Sequence, residues 1–421
     1  MNKRSHKKRD MLQNIAITAL VCLAVVLLFR SQALEGGTSL LRTLFSDSGS
    51  TQSASDSSSI SSAVLPMHIV VRNGDESSGY LNVTSSDTVF ENLGTILREA
   101  LGSSSSQAPA AEQDFREALQ HSSVCFDFFS PLPMSAVAKW LGLSGDGLSY
   151  SAEFILVSGD TGGSVRLFAA NPDDGTFYVW DTAASYQSLL NSVSPYTEND
   201  VCFAFTDNDY SSISPYTLIP ASLPSLTNLA AANSLDSDGS NALLTLLGFN
   251  AHSNTKYAES NGTEVIIDGS RTLHIGTDGL VSCDELSSGD SVFPAAAENG
   301  ETTAVSAISA VWALASKIAS ISGSDIYIAG YEENDNGCVV SIGYRSGGYP
   351  IAKSGGAAMT FNIENGVISS FSALCRSYSA STESSSHLLP IRQAAAAAPL
   401  RSLLTIGYFD SGSSASAAWL T

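Results

Sequence analysis

The side chains that usually carry chemistry are thinly spread in this chain. Its six histidines, His6, His68, His121, His252, His274 and His387, occur singly. No His-Glu-x-x-His helix or paired spacing brings two of them to one metal, so a zinc centre is not expected. Gly-x-Ser-x-Gly elbows and phosphate-cradling glycine loops are absent, and Ser-Gly strings such as Ser411–Ser414 read as turns. Two stretches gather oxygen ligands, DNDY at Asp207–Tyr210 and EENDNG at Glu332–Gly337. Both lack the distal bidentate glutamate of a calcium loop and read as hairpin turns. No carboxylate pair stands out for glycoside hydrolysis, although separation in sequence says nothing about distance across a fold. No catalytic residue, metal ligand or cofactor site is therefore assigned. What remains is recognition: Trp180, Tyr178 and Tyr349 could stack on sugar or peptide, and are equally suited to packing between strands.

The N-terminal region makes a sharper statement. Met11–Phe29 carries no charge and only Gln13, Asn14 and Thr18 as polar members, so as a helix rising about 1.5 Å per residue it covers roughly 28 Å, enough to span a bilayer. A secretory signal has a shorter apolar segment, and Arg30 abuts the one small-residue site, Ser31-Gln32-Ala33. The expectation is an uncleaved transmembrane helix over 11–29. Lys3, Arg4, Lys7, Lys8 and Arg9 crowd its N-terminal side, which places residues 1–10 in the cytoplasm as a basic tail and the bulk of the chain outside the cell membrane. Residues 31–421 hold 14 Lys+Arg against 40 Asp+Glu, a net charge of −26. Such a surface repels nucleic acid and anionic lipid heads.

Beyond the span, residues 30–64 form a juxtamembrane segment ending in a serine-rich linker, Ser46–Ser62. The rest is 43% hydrophobic by the composition of the whole chain, with mean hydropathy +0.10, as befits a folded exterior. Its cysteines, Cys125, Cys202, Cys283, Cys338 and Cys375, are odd in number and widely spaced, so they are read as small buried hydrophobes. Two α+β domains are expected, 65–235 and 236–421. In the first, strands are predicted from the β-branched run after Leu65 and over Ser123–Phe129, Ala152–Ser158, Ser164–Ala169 and Thr176–Asp181. A helix follows Ser86 and stops at Gly102. In the second, a helix over about Thr302–Ile321 has one broad apolar face that must pack on a sheet. The strands Asp325–Tyr331, Cys338–Tyr344, Ala358–Ile363 and Val367–Ser377 supply that sheet, after a meander at Thr263–Asp268, Thr272–Ile275 and Leu280–Cys283.

Three stretches in this second part carry a family likeness: LLGFNAHSNTKYAESNGTEVIID with its following HIGTDGLVS, GYRSGGYPIAKSGGAAMTFNIENGVISSF (Gly343–Phe371), and the ending LTIGYFDSGSSASAAWL. With the basic tail, the single N-terminal span and the length, the chain resembles the YycH/YycI family, membrane-anchored extracytoplasmic regulators of the WalK sensor kinase, and its YycH branch in particular. The resemblance implies antiparallel sheets with packed helices, PepSY-like in the C-terminal part, and no enzymatic activity. It further implies binding to a two-component sensor histidine kinase, alone or with a YycI-like co-regulator, in control of the cell envelope. It makes Ile15, Thr18, Ala19, Cys22 and Val26, which share one side of the span, a possible helix–helix contact face; the same residues suit a lipid-facing span. The alternative function is a wall-facing module for glycan or peptide, with an envelope hydrolase as the remaining class.

Overall fold

A computed structural model of the chain describes residues 65–421 apart from 75, 82–87, 146, 197–200, 251–254, 288–291, 298–299 and 386. The basic tail, the expected span with its contact face, and the linker lie outside the described residues.

The first sheet has seven strands, all antiparallel: β1 (His68–Asn73), β2 (Glu76–Leu81), β3 (Ala108–Pro109), β4 (Ser123–Pro133), β5 (Ser151–Gly159), β6 (Val165–Asn171) and β7 (Thr176–Asp181), in the order β2-β1-β4-β5-β6-β7-β3. Both faces of its central strands are covered. Ile69, Phe126, Ile155 and Leu167 face one way, where α1 (Thr88–Gly102) packs with Leu93 and Leu97. Cys125, Phe154, Leu156 and Phe168 face the other, against Phe115 of the short helix α2 (Glu112–Ala118) and Tyr216. This double burial explains the near-continuous apolar run of β5, in which alternation is lost. Two more helices, α3 (Met134–Trp140) and α4 (Tyr186–Val193), and the two-residue strands β8 (Cys202–Phe203) and β9 (Leu218–Ile219) complete this half of the chain.

The second sheet has thirteen strands. It opens with β10 (Thr227–Asn233), followed by helix α5 (Ser237–Leu246), then β11 (Lys256–Ala258), β12 (Glu264–Asp268), β13 (Arg271–Ile275) and β14 (Leu280–Asp284). Helix α6 (Ala304–Ser322) precedes β15 (Asp325–Asn334), β16 (Gly337–Ser346), β17 (Tyr349–Lys353), β18 (Met359–Glu364), β19 (Val367–Leu374) and β20 (Arg376–Ser385). Helix α7 (Ile391–Ala397) and the hairpin β21 (Thr405–Asp410) and β22 (Ser414–Leu420) come after it. The hydrogen-bonded path runs β11-β12-β13-β14-β19-β18-β16-β17-β21-β22-β10-β20, with β15 on β16. Because β19 and β20 are separated by Cys375 alone, the path returns to the stretch of chain it left.

Helix α6 is capped as its sequence requires. Thr303 accepts from the Ser306 N–H while Ser306 reaches back, and Gly323 closes the helix at φ 67°. Ile308, Val311, Ala315 and Ile318 are fully buried, and α3 and α5 pack on it, so the face predicted to be covered is covered.

The expected α+β class is corrected. Strand clearly outweighs helix, and two large sheets set the architecture in place of small PepSY-like helix-on-sheet units. The N-terminal transmembrane helix of that expectation has no counterpart among the described residues. There, one helix is long and apolar enough to cross a bilayer; it is α6 in the C-terminal half, and its burial makes it a core helix. The physical reason is that the predicted hairpins do not stand as small units under single helices. In the fold they add edge to edge, and β10, β17 and the extension of β20 join them.

Candidate functional site

A polar cavity of about 600 Å³ opens beside α2. Helix α2 sets Glu112 and Arg116 one turn apart, and their side chains form an ion pair of 2.5 Å. The Tyr216 hydroxyl donates to the same Glu112 carboxylate at 3.1 Å. The Arg116 guanidinium lies 5.8 Å from the Tyr216 ring centre and 5.9 Å from that of Phe205, within cation–π range of both aromatic walls. Burial alone would pull the Arg116 pKa down; the hydrogen bonds that Arg116 donates to Tyr216 and Glu112 outweigh it and the net shift is upward. Burial raises the Tyr216 phenol, so it stays a donor.

The other walls come from loops. Phe205 sits in one 3₁₀ turn, Ala204–Thr206, and Tyr210 in a second, Asn208–Tyr210, capped by Asp207 accepting from the Asp209 N–H at 3.0 Å. The segment around Arg401 is pinned across them: Arg401 N–H donates to the Ser212 carbonyl at 2.8 Å, and Ser214 N–H to the Ser402 carbonyl at 2.9 Å. Arg401 itself is held at φ 63°, a left-handed conformation that costs a non-glycine residue about 1–2 kcal/mol. Asp173, from the β6–β7 turn, lines the same cavity.

Within the first sheet lies a buried titratable group of three. His68 Nδ1 and Asp127 Oδ2 are 2.8 Å apart, and both side chains are buried. Asp127 also accepts from the Phe129 N–H at 2.8 Å, which fixes Phe129 at φ 66° in an irregular stretch of β4. Glu153 on β5 is 6% exposed. Burial, then the negative charges of Asp127 and Asp173, push its carboxyl up to about 8.

A second, apolar groove of about 370 Å³ runs between α7 and β22, with Leu389, Ala397, Leu404 and Trp419 among its walls. The Trp419 indole donates to the Leu389 carbonyl at 2.8 Å.

The aromatic residues singled out for stacking are used internally. Trp180 is buried and stacks on Tyr150 at 5.1 Å, Tyr178 packs beside the same ring, and Tyr349 meets Tyr408 edge-on at 6.3 Å. The EENDNG stretch turns β15 into β16 as expected. DNDY, read as a hairpin turn, is instead the 3₁₀ turn in the cavity wall. All five described cysteines are free thiols, four of them buried. Arg116, Phe205, Tyr216 and Arg401 form no motif in the sequence. They lie up to 285 positions apart (116 to 401), and only the Phe-x-Phe and Pro-Tyr strings near 203–216 hint at an aromatic wall.

The family-resembling stretches mark structural joints. In LLGFN, the carbonyls of Leu247 and Gly248 at the end of α5 accept from Arg271, each at 2.8 Å. The Arg271 guanidinium sits 4.2 Å from the Phe249 ring centre and pairs with Asp268 at 2.8 Å. In the ending, Asp410 of β21 accepts from Arg376 and Tyr378 of β20.

No family model and no curated protein sequence matches the chain. Among solved structures, the crystal structure of YycH from Bacillus subtilis is similar, with a TM-score of 0.54 at 11% identity, covering 86% of this chain and 94% of that one. The chain therefore has a YycH-like fold.

Proposed function

We propose that this protein is a non-enzymatic, membrane-tethered regulator that binds a WalK-like sensor histidine kinase and changes the balance of its activities in cell-envelope control. The observation that supports this reading is the likeness of fold to YycH over 94% of that chain, which agrees with the resemblance already carried by the C-terminal stretches. The localisation belonging to it rests on the sequence: an apolar run over 11–29 and a basic flank that sets the N-terminus in the cytoplasm. Acting on a kinase requires only differential affinity for two of its states, and a tenfold preference shifts the equilibrium by about 1.4 kcal/mol.

Detergent pull-down of the full-length chain tests this, in parallel with a version whose residues 11–29 are replaced by an unrelated span. The expected outcome is recovery of a histidine kinase by the natural chain. Equal recovery by both versions would assign the contact to the exterior domain, and recovery by neither would sink the reading.

A further inference from the structure

We propose that the cavity beside α2 is a binding site for a short peptide with free termini, its carboxylate held by Arg401 and Arg116 and its ammonium by Asp173. The volume, about 600 Å³, lies within the range of small-molecule sites, roughly 300–1,000 Å³.

The electrostatics are unusual for this molecule. Residues 31–421 carry 40 acidic against 14 basic side chains, and Arg271, Arg345, Arg376 and Arg392 each sit in an ion pair. Arg401 makes no ion pair among the described residues, yet its backbone is stitched to Ser212 in a left-handed conformation at the cavity wall. A planar guanidinium so placed offers the fork that carboxylates accept. Arg116, which also pairs with Glu112 through its Nη2, adds a second cation to the cavity wall.

The remaining walls narrow the ligand class. The half-buried Phe205 ring is a flat apolar surface suited to a backbone or a small side chain. The carboxylates of Glu112, Asp173 and Asp207 on the same cavity disfavour phosphate or an anionic polymer. A zwitterion satisfies both signs, and an uncharged glycan satisfies neither.

Trialanine, which carries only its terminal charges, is the probe, titrated calorimetrically into the full chain in mild detergent. Saturable binding is expected. Blocking the carboxylate as the amide, or the substitution Arg401→Ala, should each weaken it about tenfold, and the two losses should not add, because they remove one interaction. Asp173→Asn should weaken trialanine but leave its N-acetyl form unchanged. Arg401 is exposed, and an unchanged circular dichroism spectrum of the variant separates lost binding from lost fold. Absence of saturable trialanine binding, indifference to amidation, or equal binding by natural and Arg401→Ala protein would overturn the proposal, as would binding of chitotetraose in place of the peptide. Kinase recovery plays no part in this test, so the two readings fail separately.

Discussion

Arg376 shows how much can depend on one partner. Its Nη1 donates to both Asp410 oxygens at 2.8 Å, Tyr378 adds a hydrogen bond of 2.9 Å and the Gly412 N–H one of 2.8 Å, all in a buried setting. Removing one member strands a buried charge, so Asp410→Ala should destabilise by about 3–5 kcal/mol, read as a lower urea midpoint with unchanged slope. The double substitution Arg376→Met with Asp410→Leu should cost far less. Glu153 behaves differently, since its folded pKa, about 8, lies above the ordinary value of 4.5. Between those values the folded state binds more protons than the unfolded chain, so stability is full at low pH and falls as pH rises toward 8. Glu153→Gln should flatten that slope and leave the variant more stable than the natural protein above pH 8. Equal pH profiles in chemical denaturation would show that Glu153 is not the group responsible.

Among elements, α6 is the one on which most others close. Thr303→Ala removes its N-cap and should cost about 1 kcal/mol. Ile308→Ala opens a cavity at a fully buried site and should cost about 2–5 kcal/mol; denaturant titration of the two variants checks the ratio. This helix was legible in the sequence because cap, apolar face and terminal glycine all agree over nineteen residues. The hairpins were legible for a similar reason, as Asp-Gly and Asn-Gly turns punctuate β-branched runs. By contrast β10, TNLAAAN, has no strand propensity of its own; it is extended because β20 and β22 flank it. Helix α7, rich in alanine and only seven residues long, likewise depends on packing against the loop at Tyr210 and Leu404. The cavity was illegible because its walls meet only through such non-local contacts.

At the scale of the whole described fold, one continuous apolar core joins the two sheets, running from Ile69 and Phe126 through α6 to Ile342 and Ala415. Unfolding should therefore be a single transition, with far-ultraviolet dichroism and the fluorescence of Trp180 and Trp419 changing at the same denaturant concentration. Two separated transitions would show that the sheets are independently stable. The strand order of the second sheet has a further consequence for how the molecule is made. Strand β21 pairs with β17, in parallel, and β22 pairs with β10, so residues 405–420 bridge strands synthesised before them. While the chain emerges from the ribosome, and during any export across a membrane, β17 and β10 must wait with bare edges until that hairpin arrives. Chaperone dependence should accordingly peak as the last residues are made, and a premature stop codon shortly before Thr405 should yield an aggregating product rather than a shortened working one.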